Sequence, residues 1–358
     1  MKSFSQMMFC FLVFAFLGVF LEGRVWGEDA SGSLSQALSY VKQGQTQEAI
    51  SYLKKHLEGN PRDLKAHQAL AEIYLSTRQF EDAKAAYREL LKLDQNNSQA
   101  YNNLGIVYAQ EGKPDKAIEN FMTSVQKDPN FAEGYFNLGE IAMIAGDWEN
   151  ALQLFKKVEG LNPKHRSVHH RLGLALVKTG KLDEALAEFQ KAAQTDPADL
   201  RISSDLGLAY LEKGKFREAE QEFSKIVKAK PESTIGHFGL ALALKRQGQK
   251  EKALAEFRMA SDESPEFIDP YLHAGDLLKQ LGKRQEAVQS YRKTIPLYEN
   301  FLKAVPRNSG ARLRFAKILI NTGDSKGAEE QLKKVLKQEK KKSPLAQEAG
   351  ALLERVKK

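Results

Sequence analysis

Across Tyr101–Asn130, YNNLGIVYAQEGKPDKAIENFMTSVQKDPN, the apolar side chains fall into two groups with helical spacing. Leu104, Val107 and Tyr108 make the first, and Ala117, Ile118, Phe121 and Val125 the second. Steps of three and four residues put each group on one stripe of an amphipathic helix. Gly112 falls between them, where a helix end calls for a left-handed residue. Pro129 follows the second group, where a residue without an amide hydrogen ends one helix and leads into the next. The stretch predicts an antiparallel helix–turn–helix.

The same pattern recurs along the chain every 34 residues. Glycine stands at 44, 112, 146, 180, 214, 248 and 282, and alanine five places later at 49, 117, 151, 185, 219, 253 and 287. Proline recurs at 61, 129, 163, 197, 231 and 265. A fixed period of this length is the mark of a repeat architecture, so the chain reads as one continuous array rather than as separate globular domains. With proline numbered 32, position 8 is small in nine successive units, from Ala37 through Gly105, Gly139 and Gly207 to Ala316. Position 20 is alanine throughout, ending at Ala328. Position 24 is large: Leu53, Tyr87, Phe121, Phe155, Phe189, Phe223, Phe257, Tyr291 and Leu332. Two small sites let paired helices cross closely, and a large one fills the space beside the crossing.

On these residues the chain resembles the tetratricopeptide repeat (TPR) family, whose pattern appears as Leu138-Gly139, Ala151, Phe155 and Pro163. The resemblance covers about 30–342. It implies an all-α, right-handed superhelical solenoid of antiparallel helix pairs, about nine units, with 343–358 as a C-terminal capping helix. Unit two departs from the pattern, with Arg78 and Gln95 where glycine and proline are usual. After Tyr291 the pattern resumes late, at Gly323 and Ala328, because 293–306 (KTIPLYENFLKAVP) carries seven extra residues. Seven residues are two helical turns and rotate the face by only about 20°, so Tyr298 can share the face of Tyr291. Pro296 predicts a kink or short break. The insertion reads either as a tolerated addition at a solvent edge or as a docking element, using Tyr298 and Phe301, or a hinge before the last unit.

The N-terminus differs in kind. Met7–Leu21 is an unbroken apolar run of 15 residues after Lys2. That length suits the core of a signal peptide and is short for a membrane span. Val25 and Gly27 suit the −3 and −1 positions, which predicts cleavage after Gly27, so that 1–27 is a signal peptide or, alternatively, an uncleaved N-terminal anchor. The single cysteine, Cys10, lies in that run, so the mature chain would carry no disulfide, thiol nucleophile or cysteine-held metal. Charged residues make up 28% of the chain and the net charge is +8, mild for 358 residues and no argument for nucleic acid.

The family resemblance implies a groove lined by the first helix of each pair, at positions 2, 5, 6, 9, 12 and 13. Those positions hold Asn102, Asn103, Phe136, Asn137, Glu140 and Met143, then His170, Arg171, Asp205, Leu211, Phe238, Lys245 and Arg246. Amides can bond the backbone of an extended peptide and apolar residues can receive its side chains. Alternatively Leu211, Phe238 and Met143 pack between adjacent first helices. The two-carboxylate clamp of some TPR proteins is matched at only Asn137 and Arg171, with Asn102, Ile106 and Ser167 at the other places.

His165, His169 and His170 cluster, but His169 stands at position 4, which elsewhere holds the rings of Tyr101, Tyr135, His237 and Tyr271. A packing role follows, with no carboxylate in the sequence pattern to complete a metal site. No phosphate loop, serine elbow or zinc-protease motif is present, so no catalytic residue, metal or cofactor is assigned. Lys333–Lys342 holds six lysines and one glutamate, and reads as a solvated helix end or as a contact with an anionic surface. The expectation is a non-enzymatic, exported scaffold that binds a partner protein or peptide, not nucleic acid, in cell-envelope assembly or secretion. The alternative is an accessory subunit of an envelope enzyme or of a polysaccharide or pilus export machine.

Overall fold

A computed structural model describes residues 33–357. The expected leader at 1–27 lies outside the described residues. Among these residues there are nineteen α-helices and no strand. The chain forms two compact units, one ending at Thr179 and the other beginning at Gly180.

The first unit holds α1 (Ser33–Lys42), α2 (Thr46–Gly59), α3 (Leu64–Ser76), α4 (Phe80–Leu93), α5 (Ser98–Gln110), α6 (Pro114–Lys127), α7 (Ala132–Ala145), α8 (Trp148–Leu161) and α9 (Val168–Lys178). The second holds α10 (Leu182–Thr195), α11 (Leu200–Lys213), α12 (Phe216–Ala229), α13 (Thr234–Arg246), α14 (Lys250–Glu263), α15 (Ile268–Gln280), α16 (Arg284–Ala304), α17 (Ser309–Thr322), α18 (Ser325–Gln338) and α19 (Pro344–Val356). Within each unit every helix packs on the next in sequence. The architecture is the all-α solenoid of helix pairs that the period predicts.

Local chemistry sets the helix ends. Asp63, Asn97, Asp199, Ser233 and Asn308 each accept a bond from a first-turn amide, opening α3, α5, α11, α13 and α17. The turn inside each pair needs a positive φ, and where unit two lacks glycine Arg78 itself adopts φ 58. The pairs are joined by the predicted small-against-large contact. A Cβ added at Gly139 would come within 2.7 Å of the Phe155 ring, and one at Gly207 within 2.8 Å of Phe223. The alanines of position 20 and the large residues of position 24 are all buried.

Two expectations about the insertion change. The helix α16 runs 21 residues without a break through Pro296, where others in the array have 14. Its buried stripe of Tyr291, Thr294, Tyr298 and Leu302 continues on both sides of the proline, and the loss of one backbone bond does not interrupt it. Tyr298 is 4% exposed and stacks on Phe315 of α17, ring centroids 5.7 Å apart. The added turns therefore extend the core, and Tyr298 is not available as a docking side chain. Phe301 is exposed. Ala349 and Leu353 of α19 pack with Leu313, Ala316, Leu332 and Val335.

Candidate functional site

Side chains on successive first helices bond directly to one another. In the first unit Asn137 Nδ2 on α7 donates to Asn102 Oδ1 on α5 at 2.8 Å. Asn102 Nδ2 lies 3.3 Å from Asn103 Oδ1. Arg171 Nε on α9 donates to Glu140 Oε1 on α7 at 2.5 Å. On α3, Glu72 Oε1 accepts from Gln68 at 2.9 Å and from Gln99 of α5 at 3.5 Å. Burial, partly offset by the Gln68 bond, pushes the Glu72 carboxyl up to about 7.

This geometry divides the residues chosen from sequence. Asn102, Asn137, Glu140, Met143, His170 and Arg171 are buried, so the amides and ions engage one another and brace the face rather than project from it. Asn103 and Phe136 are half-buried, and Phe136 tilts against Phe155 and His165 at 5.5 and 4.4 Å. The two clamp-like residues, Asn137 and Arg171, are thus held by Asn102 and Glu140.

The three neighbouring histidines do not converge on one point. His165 lies against Phe136, and His169 Nδ1 is 3.8 Å from Glu159 Oε1, a carboxylate that the sequence pattern did not reveal. Position 4 has a recurring task elsewhere. His67 Nε2 sits 3.0 Å from Pro61 O, His237 Nε2 2.7 Å from Pro231 O, and Arg312 Nη2 donates to Pro306 O at 2.7 Å. The side chain closes the turn that precedes its own helix.

In the second unit Phe238 is buried among rings, 4.9 Å from Phe267 and 5.8 Å from Phe257, which is the packing role. Asp205 and Leu211 are half-buried and Arg246 is exposed. Lys245 Nζ on α13 lies 3.1 Å from His273 Nδ1 on α15. Burial lowers the Lys245 ammonium below its ordinary value. Burial and then the Lys245 charge lower His273 to about 4. Tyr291 donates to Asp276 at 2.6 Å, and burial holds Asp269 above the usual carboxylate range. His273, Asp276 and Glu72 escaped the sequence reading, although they stand at positions 6 and 9 of units eight and two.

A shallow cleft of about 680 Å³ opens on the second-helix side, lined by Arg217, Glu220, Lys225, Lys228 and Lys252 among others. In the lysine run, Lys333 and Lys334 pair with Glu329 and Glu330 one turn back on α18. No described helix is long and apolar enough to cross a membrane.

A family model described as the Cilia and flagella-associated protein 70 C-terminal domain matches residues 30–267. Two tetratricopeptide-repeat models match 268–300 and 287–353. Among solved structures, the chain is similar to YrrB, described as a TPR protein with an unusual peptide-binding site, at 20% identity and TM-score 0.51, over 54% of this chain and 100% of that one. A tetratricopeptide repeat protein from Parabacteroides merdae ATCC 43184 aligns at 19% identity and TM-score 0.54, over 73% and 99%. Cut9-Hcn1, the APC/C hetero-tetramer, aligns at 14% identity and TM-score 0.53, over 88% and 60%. No curated protein sequence matches the chain.

Proposed function

We propose that this chain, which belongs to the tetratricopeptide-repeat family, is a non-enzymatic scaffold holding an extended segment of a partner protein along its first-helix face. One observation carries the reading: the bonds Asn137–Asn102 and Arg171–Glu140 tie consecutive first helices together, so the face is formed before any partner arrives. A preformed face leaves the ordering cost mainly with the ligand. Asn103, Phe136, Lys245 and Arg246 remain half-buried or exposed on it and are the residues positioned to touch a guest.

The setting is proposed as extracytoplasmic, in cell-envelope assembly or secretion, on the strength of the apolar run Met7–Leu21 and the small residues Val25 and Gly27. An intact mass of the purified mature protein that begins at Glu28 supports this, and a full-length mass in the membrane fraction supports the anchored form.

The test of the scaffold is in-cell photo-crosslinking from Phe136 and Arg246, with products identified by mass spectrometry. One dominant partner from both sites is expected. A partner that is itself an envelope enzyme, or part of a polysaccharide or pilus export machine, would make the chain its accessory subunit. No product from either site, with a product from Phe301, would move the function to the end of α16.

A further inference from the structure

The first-helix faces of the two units differ in how their cations are held. In the first unit Arg171 donates to Glu140, and Asn102, Asn103, Asn137 and Glu72 stand at neighbouring positions of the same face. In the second unit the same positions carry Lys245 and Arg246 side by side on α13, Lys279 on α15 and Arg314 on α17, with Asp205, Glu212, Asp269 and Asp276 as the acids.

The cations of α13 are poorly neutralised. Lys245 is half-buried and bonds His273 Nδ1 at 3.1 Å, another group that becomes cationic when protonated. No carboxylate among the described residues stands at ion-pair distance from Lys245, and Asp276, which acts on it from farther away, already accepts the Tyr291 hydroxyl. Arg246 follows directly and is exposed. Removing an ammonium from water is unfavourable unless a counter-charge or good hydrogen bonds replace the lost hydration. Burial is the first cause that lowers both Lys245 and His273, and a neighbouring cation adds to it in each case, Arg246 for Lys245 and Lys245 for His273. His273 itself is fixed, its ring stacked on Phe257 at 5.2 Å and beside Phe238 at 5.8 Å.

We propose that Lys245, Arg246 and His273 receive a side-chain carboxylate of the partner, and that the segment docked on the second unit carries several aspartates or glutamates. Cations on three successive first helices suit an extended segment with spaced acidic side chains, whereas a single chain terminus would meet one of them. The inference rests on the scaffold reading and names the chemistry of its guest.

The test is isothermal titration of the full mature chain with an amidated alternating Gly-Glu octapeptide, beside its Gly-Gln counterpart and a Gly-Ala octapeptide with a free C-terminus. The Glu peptide alone is expected to bind, more weakly as salt rises. Lys245→Met with Arg246→Gln should weaken it by about five-fold or more. His273→Phe keeps the ring packing and should weaken it less. Arg217→Gln with Lys252→Gln, in the cleft beside α12, should leave it unchanged. A melting temperature no lower than that of the unaltered chain shows that the loss is one of binding and not of folding. Equal affinity in the Lys245/Arg246 variant, loss in the Arg217/Lys252 variant instead, or binding of the free-acid peptide alone would overturn the assignment. A partner crosslinked from Phe136 and Arg246 together with no binding of the Glu peptide would leave the scaffold standing and sink the acidic guest.

Discussion

Tyr291 donates its hydroxyl to Asp276 Oδ1 at 2.6 Å across 15 residues of sequence, and Tyr87 and Glu72 occupy the same two positions in the second repeat. The bond is not repeated there. Glu72 Oε1 is taken by Gln68 and Gln99, and the buried Tyr87 hydroxyl makes no well-formed hydrogen bond, with the Asn103 side chain as its nearest polar neighbour. Most other repeats have phenylalanine at this position.

Opposite effects follow for one substitution. Tyr87→Phe removes a desolvated hydroxyl that has at best a poorly aligned contact with Asn103, and should leave stability unchanged or raise it by up to about 1 kcal/mol. Tyr291→Phe deletes the bond to the Asp276 side chain and should cost about 1 kcal/mol. Urea unfolding of the two variants beside the unaltered chain measures both. Equal losses would mean that Tyr87 has a partner.

Glu72 gives a pH signature. Its folded value of about 7 lies above the ordinary 4.5, so the folded state holds more protons between those limits. Its contribution is fully present below about pH 4.5 and is lost as pH rises through 7. Glu72→Gln keeps the amide contacts without the charge. It should raise the melting temperature at pH 8, by the equivalent of about 1–2 kcal/mol, and change little at pH 4.5. His273 works in the other direction: lowered to about 4, it supports the fold above about pH 6.5 and withdraws that support as pH falls through 4. His273→Phe should therefore help most at acid pH. Melting curves of the two variants across pH 4–8 separate the two effects.

The fold was legible because its determinants repeat. Gly139 against Phe155 is a contact between positions 8 and 24, and nine copies of those positions make the rule visible without a structure. The site was less legible, because position tells which face a residue occupies but not whether a neighbour has already engaged it. Asn137 and Arg171 were placed on the first-helix face by their positions, yet Asn102 and Glu140, 35 and 31 residues away, accept their bonds. Phe238 was offered both as a pocket and as packing, and the rings of Phe257 and Phe267 place it in the core. His273 was missed because its importance comes from Lys245, 28 residues earlier, and only the fold joins them.

Arg78 marks the place where the sequence departs from the repeat and the backbone does not. It takes φ 58 where the equivalent turns have glycine, and its guanidinium sits over the Phe80 ring at 5.8 Å. The left-handed conformation costs a residue with a Cβ about 1–2 kcal/mol, more than an exposed cation–π contact returns. Arg78→Gly should then stabilise the chain by about 0.5–1 kcal/mol, read as a higher unfolding midpoint. A lower midpoint would show that the Phe80 contact, or the greater freedom of glycine in the unfolded chain, outweighs the strain.

The extra two turns of α16 can be assigned by pairing a buried residue with an exposed one. Tyr298 is buried against Phe315, and its hydroxyl is pushed up to about 12, first by burial. Truncating it to alanine opens a cavity in the eighth and ninth repeats and should cost about 3 kcal/mol. Phe301, 41% exposed at the edge of the buried stripe, should tolerate alanine within about 0.5 kcal/mol. Thermal unfolding measures the two stabilities, and crosslinking from Arg246 in each background reports on partner binding. If the insertion serves the core, Tyr298→Ala lowers stability and Phe301→Ala leaves both stability and crosslinking intact. If Phe301→Ala abolishes the crosslink while the melting temperature holds, the exposed end of α16 is itself a contact surface, and the seven added residues serve recognition as well as packing.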